Sequence, residues 1–182
     1  MWISQLTKFD AFELDELYWF TNCKFPLEMR QNSYVCTMVS REPRQIVAYN
    51  VDNSIESSDI QDMVDSVRIA ERYFTDGGIA YLDVDFGKNR HIRNIDDKSD
   101  THIIEGTNAD LRHYIAGLAR RSRCFFRKQE NKNAVLSVFI DAYNKFGEAK
   151  LKYRKPVLHK SENPNSRLHK WKYPPYSVID FL

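Results

Sequence analysis

The chain has 182 residues, 42% of them hydrophobic and 13% aromatic, which excludes a disordered polymer and provides one domain-sized core that needs no disulfide staples. Its net charge of +2 hides a gradient: residues 1–100 carry 11 basic and 18 acidic side chains, residues 101–182 carry 16 and 7. No apolar run approaches the roughly eighteen residues of a membrane span, the start MWISQLTKFDAF has no basic or apolar signal region, and the three cysteines, Cys23, Cys36 and Cys124, form no CxxC pair. These features predict a cytoplasmic protein without membrane attachment, with buried reduced thiols, and with an acidic scaffold beside a basic surface that suits a polyanion such as nucleic acid.

In chain order, FELDELYWF alternates as a strand, placing Phe12, Leu14, Glu16 and Tyr18 on one side and Glu13, Asp15, Leu17 and Trp19 on the other. SYVCTMVS (33–40) is a second strand, closed by a turn at REPR, and QIVAYNV (45–51) is a third, so the three form an antiparallel meander. Residues 58–70 bring Ile60, Met63, Val64 and Val67 to helical spacing, with Ser57 or Ser58 as N-cap. ERYFTDGG (71–78) is a short strand ending in a glycine pair, followed by a short helix and a short strand around His91 to Ile95. Over 101–126 a helix aligns Ile104, Leu111, Ile115 and Leu118 toward a core, with Glu105, Asn108 and Arg112 on a neighbouring stripe. A further helix spans 131–146 and buries Val135, Val138, Phe139 and Ala142. The expected organisation is an α/β domain over 8–148 and a basic extension over 149–182, with no internal repeat.

Phosphodiester chemistry with two divalent metals needs acidic side chains converging on a site about 4 Å across. Magnesium takes oxygen ligands, which carboxylates supply. In this order of elements an aspartate on the first strand, one just after the fourth and a glutamate on a later helix can meet; those positions hold Asp15, Asp76 and Glu105. Each has an ordinary alternative: Asp15 as an edge-strand residue facing water, Asp76 as a turn aspartate, Glu105 as an exposed helical acid. Glu13, Glu16, Asp83 and Asp85 compete for the same role.

The string THIIEGTNADLR followed by LARRSRCFFRK resembles the C-terminal catalytic motif of bacterial insertion-element transposases of the insertion sequence 1 family. LDELYWF, RQIVAYNV and YFTDG match the same family pattern, so that the resemblance covers roughly residues 8 to 135 and fades after about Lys132. It implies a ribonuclease-H-like mixed sheet with helices on both faces, a DDE triad of Asp15, Asp76 and Glu105 holding two Mg2+ or Mn2+ ions, and cleavage and strand transfer of an insertion element. It also implies DNA as partner, both element ends and target, a homo-oligomer on that DNA, and association with the bacterial nucleoid when bound. Family members carry an upstream zinc-ribbon and helix-turn-helix segment, whereas Asp15 stands fourteen residues after Met1. End recognition is therefore expected from a segment encoded in another frame, or as lost.

Arg120, Arg121, Arg123, Arg127 and Lys128 follow the glutamate helix and would grip phosphates by charge and bidentate hydrogen bonds without reading bases. Asn108 and Arg112 would orient Glu105 or touch the DNA backbone. The tail's Lys152, Arg154, Lys155, Lys170, Trp171 and Lys172 mix cations with an aromatic ring as nucleic-acid surfaces do. The five histidines lack metal-ligand spacing, and His102 and His113 are expected at the surface. Two other functions fit these features: a catalytically silent DNA-binding remnant of a truncated transposase, and a related ribonuclease-H-like nuclease without strand transfer.

Overall fold

The alternation of FELDELYWF is realised in β1 (Ala11–Phe20), whose two faces are both buried for most of its length. The computed structural model describes residues 11–20, 32–94, 100–118 and 129–154. β2 (Asn32–Ser40) pairs antiparallel with β1, and β3 (Ile46–Asp52) antiparallel with β2, the meander read from sequence. α1 (Ser57–Ser66) then carries the chain across to β4 (Arg72–Thr75), which lies parallel to β1 on its other side. A 3-10 turn at Ile79–Tyr81 leads to β5 (His91–Arg93), parallel to β4. The result is a five-stranded mixed sheet in the order β3-β2-β1-β4-β5.

Helices cover both faces. On one, α1 buries Ile60, Met63 and Val64 against Phe12, Leu14, Cys36 and Met38. On the other, α2 (His102–Tyr114), a 3-10 turn at Ala116–Leu118, and α3 (Gln129–Arg154) bury Ile104, Leu111, Ile115, Leu118, Leu136 and Phe139 against Leu17, Trp19, Val35 and Val51. The α2 stripe expected from 3.6-residue spacing is thus the buried one, although regular helix stops at Tyr114. α3 docks on the edge strand through Asn144, whose side chain both accepts from Ile46 N–H and donates to Ile46 C=O at 2.9 Å, satisfying an edge residue that, among the described residues, no strand pairs on that side.

Three expectations are corrected. α1 ends at Ser66 instead of Ala70: the Ser66 hydroxyl turns back to Met63 C=O at 2.8 Å and Val67 is already extended. Val138 is 57% exposed, because the buried stripe of α3 runs through Leu136, Phe139, Ile140 and Ala142 and leaves Val138 on the outer side. α3 extends to Arg154, so the first residues given to a loop-rich tail are helical. Cys36 is buried and free, while Cys23 and Cys124 lie outside the described residues. Among the described residues no helix is long and apolar enough to cross a membrane.

Candidate metal centre

Register explains why two distant aspartates meet. Parallel pairing sets Glu13 opposite Phe74, and carried forward two steps it brings Asp15 level with Asp76. Because β4 stops at Thr75, Asp76 stands just past the last rung, in the gap beside β1. From there it is reachable from both faces of the sheet. Asp15 points to the α2 side and Glu16, the next residue, to the α1 side, yet each offers a carboxylate oxygen within 4.8 Å of one on Asp76 and of each other. The group lies at the carboxyl end of β4, beside the middle of β1, where the shorter parallel strand leaves an open crevice next to the longer one. All three acids are half-buried.

Hydrogen bonds fix this group. Asn108 on α2, only 2% exposed, donates from Nδ2 to Asp15 Oδ2 at 2.8 Å, while its Oδ1 accepts from the Thr37 hydroxyl at 3.2 Å. Asp76 Oδ1 accepts the Gly78 N–H at 2.8 Å, and the Thr75 hydroxyl donates to Asp76 C=O at 3.1 Å. Crowding of like charges in a partly desolvated place is costly. Burial, then the charges of Asp76 and Asp15, push Glu16 up to about 7 against the pull of the neighbouring Tyr81 hydroxyl. Asp15 is also raised, by burial first and by Asp76 and Glu105 to a lesser degree, with Glu16 N–H and Asn108 opposing. Burial likewise raises the Tyr81 hydroxyl well above its ordinary value.

Of the three acids expected to converge, Asp15 and Asp76 do so, and Glu16, a competitor by sequence, stands with them. Glu105 lies outside that trio; it is exposed in the first turn of α2, near enough to Asp15 for its charge to be felt. Asp83 and Asp85 are exposed on the loop after the 3-10 turn. Glu13 is fully buried and serves another end: its Oε2 accepts the N–H groups of Ile103 and Ile104 at 3.0 and 2.8 Å, and its Oε1 takes Arg41 Nε at 2.7 Å. It does from another strand what an N-cap side chain does, since Thr101 at the cap position makes no such bond. Asn108, expected to orient Glu105 or touch DNA, is buried with its side chain bonded to Asp15 and Thr37. Arg112 is half-buried, and His102 and His113 are exposed. Arg120, Arg121, Arg123, Arg127 and Lys128 lie outside the described residues.

No family model matches the chain, and no curated protein does either. The chemistry of the site rests on its own residues: three hard oxygen donors drawn together where β4 ends beside β1, with their charges only partly relieved.

Proposed function

We propose that this chain is the catalytic domain of a DDE transposase with a ribonuclease-H-like fold, cutting and joining DNA strands at an acidic divalent-metal site. One observation carries the reading: Asp15 and Asp76, from neighbouring parallel strands 61 positions apart in the chain, meet with Glu16 within 4.8 Å. The strand order β3-β2-β1-β4-β5, with an antiparallel meander and a helical crossover, supports it as the arrangement that such a fold requires.

The donor set fits a hard divalent cation. Carboxylate oxygens are what Mg2+ and Mn2+ bind, and two positive charges would offset the burial and the repulsion that together raise Glu16 and Asp15. When bound, such ions supply Lewis acidity at the phosphoryl group and a deprotonated attacking oxygen. The protein's part is orientation: Asn108 aims Asp15, the Gly78 N–H aims Asp76, and Glu13 ties the start of α2 to β1, holding Glu105 beside the group. The substrate in this reading is DNA, both element ends and target. Assembly of several copies on DNA, together with an upstream end-binding segment, belongs to the same proposal.

The test is cleavage of linear DNA carrying candidate element ends in Mg2+ or Mn2+. Wild type is expected to nick and transfer strands, Asp76→Asn to lose at least about a hundredfold in rate, and Glu16→Gln and Glu105→Gln to show which of the two glutamates completes the site. Cleavage that survives Asp76→Asn sinks the reading. DNA binding without cleavage by wild type leaves the silent remnant in its place, and cleavage without joined products leaves a nuclease.

A further inference from the structure

We propose that Arg93, on β5, is a positioning residue for Asp76 and sets the divalent-metal affinity of the site through a single peptide plane. This rests on the reading of the acidic group as a metal site.

β5 holds the end of β4 at three points. The Thr75 hydroxyl lies 2.8 Å from His91 Nε2, Asn94 N–H donates to Thr75 C=O at 2.9 Å, and Arg93 Nη2 donates to Gly77 C=O. The second continues the sheet ladder, in which Thr75 faces Arg93, and the first joins two side chains across the same pair of strands. The third does neither, since it reaches past the strand to the turn after it. The carbonyl of Gly77 and the N–H of Gly78 belong to one planar peptide unit. Arg93 grips its oxygen, and Asp76 Oδ1 accepts its hydrogen at 2.8 Å. Two glycines in succession give this plane wide rotational freedom of its own. With the carbonyl end pinned, the N–H end is aimed at Asp76, and the carboxylate is held in turn.

A second feature separates this from ordinary strand-end pairing. Arg93 Nε is buried without a hydrogen-bond partner. Arg93 as a whole is half-buried, but burying its Nε with that donor unmet is unfavourable, and sheet pairing gives no reason for it because Thr75 is already held twice. The unfavourable burial is understood if the guanidinium is needed at the Gly77 carbonyl.

The experiment is titration of the full chain with Mn2+ alone, followed by calorimetry and by the electron paramagnetic resonance spectrum of the bound ion. Arg93→Met, which keeps the aliphatic stem and removes the fork, is expected to weaken Mn2+ binding about tenfold or more and to change the spectrum of what remains bound. Arg93→Lys, which keeps the charge and a donor, is expected between Met and wild type, and the metal-free melting midpoints are expected to stay near one another. Wild-type Mn2+ affinity in Arg93→Met overturns the proposal and leaves the metal site standing. If Arg93→Met does not fold, unchanged affinity in Arg93→Lys overturns it equally. Absence of Mn2+ binding by wild type removes the metal reading, and this inference with it.

Discussion

Glu13 Oε2 accepts the backbone N–H of Ile104 at 2.8 Å across 91 positions of sequence, so the strand that bears Asp15 also caps the helix that bears Glu105. The same carboxylate binds Arg41, whose guanidinium also lies over the Phe74 ring at 3.7 Å. Glu13→Ala would leave two helix N–H groups without their acceptor and the partly buried Arg41 guanidinium with Asp100 as its remaining partner. Loss of about 2–4 kcal/mol is expected. Glu13→Gln, which keeps an acceptor and loses the charge, should cost about 1 kcal/mol. Urea midpoints of the three proteins check this, and equal midpoints would mean that α2 is held by apolar burial alone.

Asn108 makes the corresponding link to Asp15. In Asn108→Ala, Asp15 loses one of the two bonds that oppose its raised pKa, keeping that from Glu16 N–H, and the Thr37 hydroxyl loses its acceptor. Expected effects are a destabilisation of about 1–2 kcal/mol and Mn2+ binding weakened about tenfold. Asn108→Asp adds a charge next to Asp15 and should destabilise the metal-free protein more at neutral than at acid pH. If Mn2+ affinity is the same in all three proteins, Asp15 does not depend on Asn108 for its orientation.

The parts of this structure that were legible in the sequence are those decided by neighbours along the chain. β1 carries apolar residues on both sides because both of its faces meet helices, and Ile104 and Leu111 of α2, with Ile115 and Leu118 just beyond its end, enter one core. What local pattern does not contain is where a neighbouring strand stops. Glu16 joins Asp15 and Asp76 because β4 ends at Thr75 and opens the gap to both faces, a fact about pairing that FELDELYWF alone does not carry. The roles of Glu13 and Asn108, both named from sequence, were not legible for a similar reason, since Ile103 and Asp15, to which they bond, lie 90 and 93 positions away. Thr101 is a residue that often caps a helix, so the sequence gives no hint that Glu13 takes that part instead.

Glu16 predicts the pH behaviour of the metal-free protein. Its pKa in the folded chain is about 7 against an ordinary 4.5, so between those values the folded state binds more protons than the unfolded one. Stability from this group is complete below about 4.5 and is lost as pH rises through about 7, with Asp15 acting in the same direction. The loss is bounded at on the order of 3 kcal/mol. Melting in chelator across this range should therefore show a decline that Glu16→Gln flattens and that Mn2+ reverses, since a ligand bound only by the folded state stabilises it. A decline unaffected by Glu16→Gln would assign the effect to other groups.

Gly78 separates steric from backbone effects at the same turn. Its φ of −53° and ψ of 139° suit alanine, so the backbone raises no objection, and by chain entropy alone Gly78→Ala would stabilise the fold by about 0.4–1 kcal/mol. The added Cβ would stand 3.0 Å from Asp76 Oδ1 and 3.1 Å from the Tyr81 ring. Tyr81 is fully buried and cannot retreat easily, which leaves the Asp76 carboxylate as the group that moves. The expected outcome is a metal-free melting midpoint close to wild type together with Mn2+ binding weakened about tenfold or more. Calorimetric titration beside thermal melting reads both quantities. Unchanged affinity would show that Asp76 can shift its oxygen without loss, and that the tight turn around it is a feature of the fold and not of the site.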